Sequence, residues 1–469
     1  MDSQVLSSLK EDYLKSTSAD EPKWLVDIRE RAFSYYQNLP SEVSPLYTKY
    51  SGVNVLKPES VYLSADHREL KEPFSGLEPR LDEIRNSGIA VIQVGSHLHP
   101  INLPDELKEK GVIIEGIGDA LRNHEELVKP FLAGADPTED KFLALECSVF
   151  NSGVFVYLPR NLDLEQPITI VHAPGDDGLS TVARNIFFAD GSSRGRIVQE
   201  LYSPKTGSDV QQVYFEFQES HVANNAELDV VTLQTMDGNA VHFSNRKAYL
   251  ERDARINSYM GIFGTSLARY KVDNMLQGDG ASAEHTDIVF GNGNQAFDIT
   301  ANMIHLSPNT RGRVMAKSVL KDTAKSLFKG MIKIGKHAKG SESYLAGHAI
   351  LLDKRAKADA IPGLEIETNE VKATHSASVA QMDEEHLFYL MSRGMSASTA
   401  KRVIVEGFVE PLMRRMTPEA RAWMSYLIDS KWQGKQLILK RDDVMREILE
   451  VEEARRVDTD IFEKHYKYR

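Results

Sequence analysis

The stretch RGRVMAKSVLKDTAKSLFKGMIKIGKHAKGSESYLAGHAILLDKRAKADAIPGLEI, residues 311–366, has apolar strand centres at Val314, Ile332, Ile350 and Ile366, spaced by 18, 18 and 16 residues. Steps this even are what stacked coils produce. Hairpin sandwiches place strands at about half that interval and can mimic it. A sandwich, a barrel and a β-helix therefore compete on strand pattern alone, and the spacing favours the β-helix.

The same texture extends back to about Cys147 and forward to Val379, in short apolar runs such as Ile168 to Val171, Val213 to Phe217, Leu228 to Leu233 and Ile299 to Ile304. Asn, Asp, Gly and Ser separate them, as turns require. Val213, Phe215 and Phe217 alternate with Tyr214 and Glu216, which predicts one buried and one exposed face. Upstream, helices are expected at Gln4 to Leu14 and Lys23 to Asn38. In the second, Trp24, Leu25, Ile28, Ala32 and Tyr35 or Tyr36 form an apolar stripe. A strand is expected at Ile89 to Val94, then helical patterning over Asp105 to Leu132, broken by a strand near Gly111 to Gly118.

After Gln381 the period turns helical. Asp383 caps a helix whose apolar stripe is Leu387, Phe388, Leu390 and Met391, and Gly394 stops it. Ser396 opens a helix through Phe408, Thr417-Pro418 opens another, and Arg441 to Val457 supplies a charged last one. The expected architecture is mainly β: a mixed α/β region over 1–145, a parallel β-helix core over 146–380 and a helical domain over 381–469.

The chain of 469 residues has 56 basic and 68 acidic residues, a net charge of -12, which disfavours nucleic-acid and anionic-membrane partners. Its single cysteine, Cys147, excludes an intrachain disulfide and any all-cysteine cluster site built from this chain alone. The polar, acidic start and the absence of a run of about 18 apolar residues predict a cytoplasmic protein.

No phosphate-binding loop, GxSxG elbow, HExxH or dinucleotide fingerprint is present, so ATP hydrolysis and standard hydrolytic chemistry are not expected. His97 and His99 form a candidate metal pair without a third ligand nearby. Glu284, His285 and Asp287 form a polar cluster that a turn between coils explains equally well. A β-helix polysaccharide lyase or hydrolase is an alternative resting on fold analogy only. In the strand Val371 to Val379, His375 shares a face with Val371, Ala373, Ala377 and Val379, and Lys372, Thr374, Ser376 and Ser378 share the other. Read alone, His375 is a core histidine hydrogen-bonded to backbone.

The segment PGLEIETNEVKATHSASVAQMDEEHLFYLMSRGMSASTAKRVIVEGF, from Pro362 to Phe408, resembles the C-terminal signature of the SufB/SufD family. EPKWLVDIRERAFSYYQNLP, DKFLALECSVFNSGVFVYLPRNLDLEQPI and HLSPNTRGRVMAKSVLKDTAKSLFKG resemble further family segments in family order. The resemblance implies a right-handed parallel β-helix between helical domains. It also implies a non-enzymatic subunit of a complex with SufB and the ATPase SufC, on which a transient iron-sulfur cluster is assembled and transferred. A solitary homologue pairing with itself around SufC is the alternative within the family.

SufB-type sequences carry a cysteine whose position falls near Gly347 here, and an acid where this chain has Ser376; both departures make the chain SufD-like. The resemblance implies that His375 lies between two β-helices and helps to hold the forming cluster, a role imidazole can fill beside thiolates. It places the SufC contact on the helices from Asp383 to about Asp429, with Arg393, Gly394 and Phe408 in the matching motif. Whether a reduced flavin joins the complex is not written in this sequence.

Overall fold

Alternating β-branched, aromatic and polar residues set between Asn, Asp and Gly turns cannot bury both faces in one hairpin, and the chain solves this by stacking. The computed structural model describes residues 21–40, 76–99, 101–173, 180–203, 211–440 and 443–454, with positions 56, 57 and 63. In chain order the strands are β1 (Ile89–Val94), β2 (His97–Leu98), β3 (Ile113–Gly116), β4 (Val154–Leu158), β5 (Ile168–Ala173), β6 (Thr181–Ala189), β7 (Arg194–Leu201), β8 (Val213–Val222), β9 (Glu227–Gln234) and β10 (Val241–Leu250). They continue with β11 (Arg255–Ile262), β12 (Leu267–Leu276), β13 (Ser282–Gly291), β14 (Ala296–His305), β15 (Arg311–Leu320), β16 (Lys325–Ile334), β17 (Glu342–Leu351), β18 (Lys357–Ile366) and β19 (Lys372–Gln381).

Odd-numbered strands from β5 onward join β1 and β2 in a ten-stranded sheet, and even-numbered strands from β4 onward join β3 in a nine-stranded one. Pairing is parallel apart from β1 with β2 and β3 with β4. The result is a mainly β protein built on a parallel β-solenoid of about seven turns. The expected steps of 18, 18 and 16 residues turn out to be half-coils, because successive strands alternate between the sheets. The full repeat is seen where Ser343 bonds Gly312, 31 residues away, and His348 bonds Ser378, 30 away.

The helices are α1 (Lys23–Asn38), α2 (Glu78–Ser87), α3 (Asp105–Glu109), α4 (Ile117–Asn123), α5 (Glu125–Gly134), α6 (Lys141–Val149), α7 (Glu384–Ser392), α8 (Ala397–Met413), α9 (Pro418–Trp432) and α10 (Asp443–Ala454). The helix expected over Gln4 to Leu14 lies outside the described residues. Compact units span Met1–Gln381 and Met382–Arg469.

The two faces of the early strands are both buried, which corrects the expectation of an exposed face on β8. Val213 and Phe215 point away from the solenoid interior into a cluster with Leu25, Phe33, Phe142 and Leu145 of α1 and α6. Phe142 stacks on Phe243 at 4.4 Å, and Phe215 on Phe243 at 5.2 Å. The polar alternates go inside instead. Glu216 on β8 accepts from Gln199 of the other sheet at 3.3 Å, from Asn185 at 2.9 Å and from Arg246 at 2.8 Å, while Arg246 donates across to Thr232 at 2.6 Å.

The Tyr214 hydroxyl meets His172 Nδ1 at 3.1 Å, and that of Tyr270 meets His242 Nδ1 at 2.8 Å. Burial works to raise the Glu216 carboxyl, but Arg246 above all holds it down to about 2. Burial pushes His172 down to about 4 and His242 to about 3, with Glu216 opposing. His242 Nε2 stands 3.9 Å from Glu216, yet a neutral ring makes this a polar contact rather than an ion pair.

Unfolding frees both imidazoles to protonate near their ordinary value of about 6.5. Below that pH the unfolded chain binds more protons than the folded one, so stability falls until the folded rings titrate. The thermal midpoint should therefore drop steadily between pH 6.5 and about 4. His242→Gln should flatten that slope, and a midpoint as pH-sensitive as in the wild type would show that His242 does not contribute.

Candidate functional site

In-register stacking aligns Val230, Ser258, His285, Val314, Leu345 and His375 in one column. Val314 and Leu345 are fully buried in the solenoid interior. Their column-mate His375 projects to the same side from β19, the last strand of its sheet, where among the described residues no further coil covers it. His375 is consequently exposed, unlike the hydrogen-bonded core histidine that its strand pattern alone predicts, and no hydrogen-bond partner for it is found among the described residues.

Around it the end of the solenoid is apolar and open. Leu364 is 37% exposed, Ile366 42% and Val379 43%. Among the described residues β18 and β19 each have a single neighbour in their sheets, which leaves one row of backbone donors and acceptors on each without a strand partner there.

On the opposite face of β19, Ser376 meets the Tyr344 hydroxyl at 3.2 Å and Ser378 meets His348 Nδ1 at 2.7 Å. Burial, with Lys317 nearby, lowers the His348 pKa. Ser376 and His375, adjacent in sequence, thus serve different faces. Gly347 pairs with Ala377, one coil back from the open end. A Cβ at Gly347 would overlap the Phe328 ring, so a cysteine there would require Phe328 to move. Phe328 fills the volume that a thiol would occupy.

The other candidates are dispersed. His285 and Asp287 are not in a turn but inside β13, fully buried and 3.0 Å apart; Glu284 points to the other face. His97 is buried on β2, and among the described residues no group of three or more His, Cys, Asp and Glu could hold a metal ion. Cys147 is buried in α6, and burial pushes its thiol up to about 12, with Arg184 acting against the shift. A thiol so held is neither a ready nucleophile nor a ready ligand.

The helical unit follows its capping signals. Asp383 accepts from the backbone of Glu385 at 2.8 Å and of His386 at 3.3 Å, and Gly394 takes the left-handed φ of 91° just beyond the end of α7. Ser396 and Thr417 cap α8 and α9. The expected stripe on α7 is not buried: Phe388 is 73% exposed, and Tyr389 and Met391 are also exposed. Arg393 lies over the Tyr389 ring at 5.2 Å, while Phe408 is half-buried on α8 between Val405 and Val409.

The polar interior formed by His172, Glu216, His242 and Arg246 was not anticipated from the sequence. Its signal was present in the polar alternates Tyr214, Glu216 and Gln218 and His242, Ser244 and Arg246, which the expected exposed face concealed. Among the described residues no helix is long and apolar enough to cross a membrane.

The family model described as "SUF system FeS cluster assembly, SufBD core domain" matches residues 172–408, and that described as "SufBD protein N-terminal region" matches residues 6–170. An iron-sulfur cluster assembly SufBD family protein of Staphylococcus haemolyticus is 29% identical over 429 residues, covering 89% of this chain and 91% of that protein. Proteins of the same description from Staphylococcus epidermidis and Staphylococcus aureus are each 28% identical with the same coverage. With both family regions matched in order over the solenoid and the elements before it, the chain belongs to the SufBD family of iron-sulfur cluster assembly proteins.

Proposed function

We propose that this chain is a SufD-like subunit of a SufBCD-type scaffold, contributing shape and one imidazole rather than a thiol. The observation that supports the reading best is the position of His375, exposed at the open end of the solenoid between two unpaired strand edges. One histidine cannot hold a cluster, so the remaining ligands come from the subunit that covers this end. The cluster is the cargo of such a complex. The lone thiol is buried in α6, far along the chain from His375, and Phe328 occupies the space beside Gly347. Both features favour a partner, a SufB-like subunit, that supplies sulfur ligands.

The exposed apolar residues of α7 fit a protein contact, since exposed aromatic and Met side chains next to one another mark interaction surfaces. In this reading they meet SufC, whose ATP cycle would move the pair of solenoids, with the contact extending over α8 and α9.

In co-purification with SufB and SufC, His375→Ala should leave assembly intact and lose iron and sulfide after anaerobic reconstitution. A variant complex that builds clusters normally would make His375 structural, and a wild-type chain that binds neither protein would remove the SufD-like assignment.

Charge reversal at Glu385 and Arg393, on the exposed surface beside Phe388 and Tyr389, should weaken SufC binding while leaving the melting curve unchanged; unaltered binding would count against this contact.

For the thiol, iodoacetamide should label Cys147 in the folded chain roughly 100-fold more slowly than in the denatured chain at pH 8. Equal rates would mean that Cys147 is open to chemistry after all.

A further inference from the structure

One column of residues, running from a bridge residue ahead of β5 through the first residues of β7 to β19 in the ten-stranded sheet, alternates in charge from coil to coil. Asp163 stands beside Arg194, Arg194 beside Glu227 and Glu227 beside Arg255. Ser282 separates Arg255 from Arg311, which is followed by Glu342 and finally Lys372. Arg194 lies 3.8 Å from both Asp163 and Glu227, Arg255 lies 3.8 Å from Glu227, and Lys372 lies 2.7 Å from Glu342. Neighbouring strands are only about 4.8 Å apart, so opposite charges in register attract and like charges directly alongside repel. Where the alternation would otherwise put two arginines together, the neutral Ser282 stands between them.

The column stops at Lys372, whose side chain is 82% exposed on the open edge of β19. Continuing the alternation requires an acid on the next strand. We propose that the occupant of this edge is a strand of a different subunit that sets an Asp or Glu beside Lys372. The inference rests on the reading that a second subunit docks on the open end. A second copy of this chain fits less well: paired antiparallel about its own midpoint, β19 would set Lys372 opposite Ala380 or Gln381, neither of them acidic. Lysine on an open edge also discourages self-pairing.

The test measures affinity for the SufB-like subunit of the same organism by titration calorimetry, comparing the wild type with Lys372→Glu, Lys372→Met and Ile366→Asp, each checked for an unchanged melting curve. Ile366→Asp, which puts a charge on the apolar end, should abolish binding. Lys372→Glu should weaken it about tenfold and Lys372→Met about two- to threefold, with the Glu penalty shrinking at high salt. If Ile366→Asp abolishes binding while Lys372→Glu binds like the wild type, the acidic neighbour is refuted and the docking end stands. If Lys372→Glu leaves that affinity unchanged and only raises self-association, Lys372 is a guard against edge pairing and the proposal falls. If the wild type does not bind, or Ile366→Asp has no effect, the docking reading fails and takes this inference with it.

Discussion

A parallel stack of strands satisfies its backbone hydrogen bonds coil by coil, and the debt is collected at its last coil. Here β18 and β19 present unpaired edges together with the uncovered inner face that carries Ala373, His375, Ala377 and Val379. In the earlier coils the same column is covered by its successors, with Val230, His285, Val314 and Leu345 buried and Ser258 half-buried. The exposure of His375 is thus a consequence of where the stack ends, and the same ending leaves Lys372 with a charged neighbour on one side only. His375, the proposed ligand, and Lys372, the proposed recognition element, lie three residues apart on β19, and both owe their exposure to the position of the final coil.

The interior carries a second constraint. Burying Glu216 is tolerable only with its hydrogen bonds from Asn185, Gln199, Ser244 and Arg246 all in place, because an unpaired buried carboxylate is expensive. The network joins strands of both sheets and so fixes how the early coils face each other. Further along, the interior becomes apolar, with Ile299, Val314, Phe328 and Leu345 filling it toward the open end. Arg184 and Glu219 form a similar buried pair on the outer side, under the helices, where Arg184 also lies over Phe217.

The chain belongs to the SufBD family, and its single thiol is buried. Cys147 is packed against Ala32, Leu143 and Phe217, and Phe328 lies against Gly347. In the proposed reading, a chain so arranged brings one imidazole and an exposed solenoid end to a partner that holds the sulfur ligands.

Much of this was legible in the sequence. The helix Lys23–Asn38, the strand Ile89–Val94, the caps Asp383, Ser396 and Thr417 and the stop at Gly394 follow from local chemistry, because caps and turns depend on neighbouring backbone groups only. The single cysteine and the family segments were equally open to reading. Period-two alternation reveals that a strand has two different faces, but not which of them is inside. On β8 the answer was set by α6, whose Phe142 and Leu145 cover the apolar face, and by Gln199 across the solenoid, which receives the polar one. Likewise the pattern around His375 matches that of a buried strand, and only the order of the coils leaves it exposed, since burial depends on whether another strand follows in space rather than on the residues beside it.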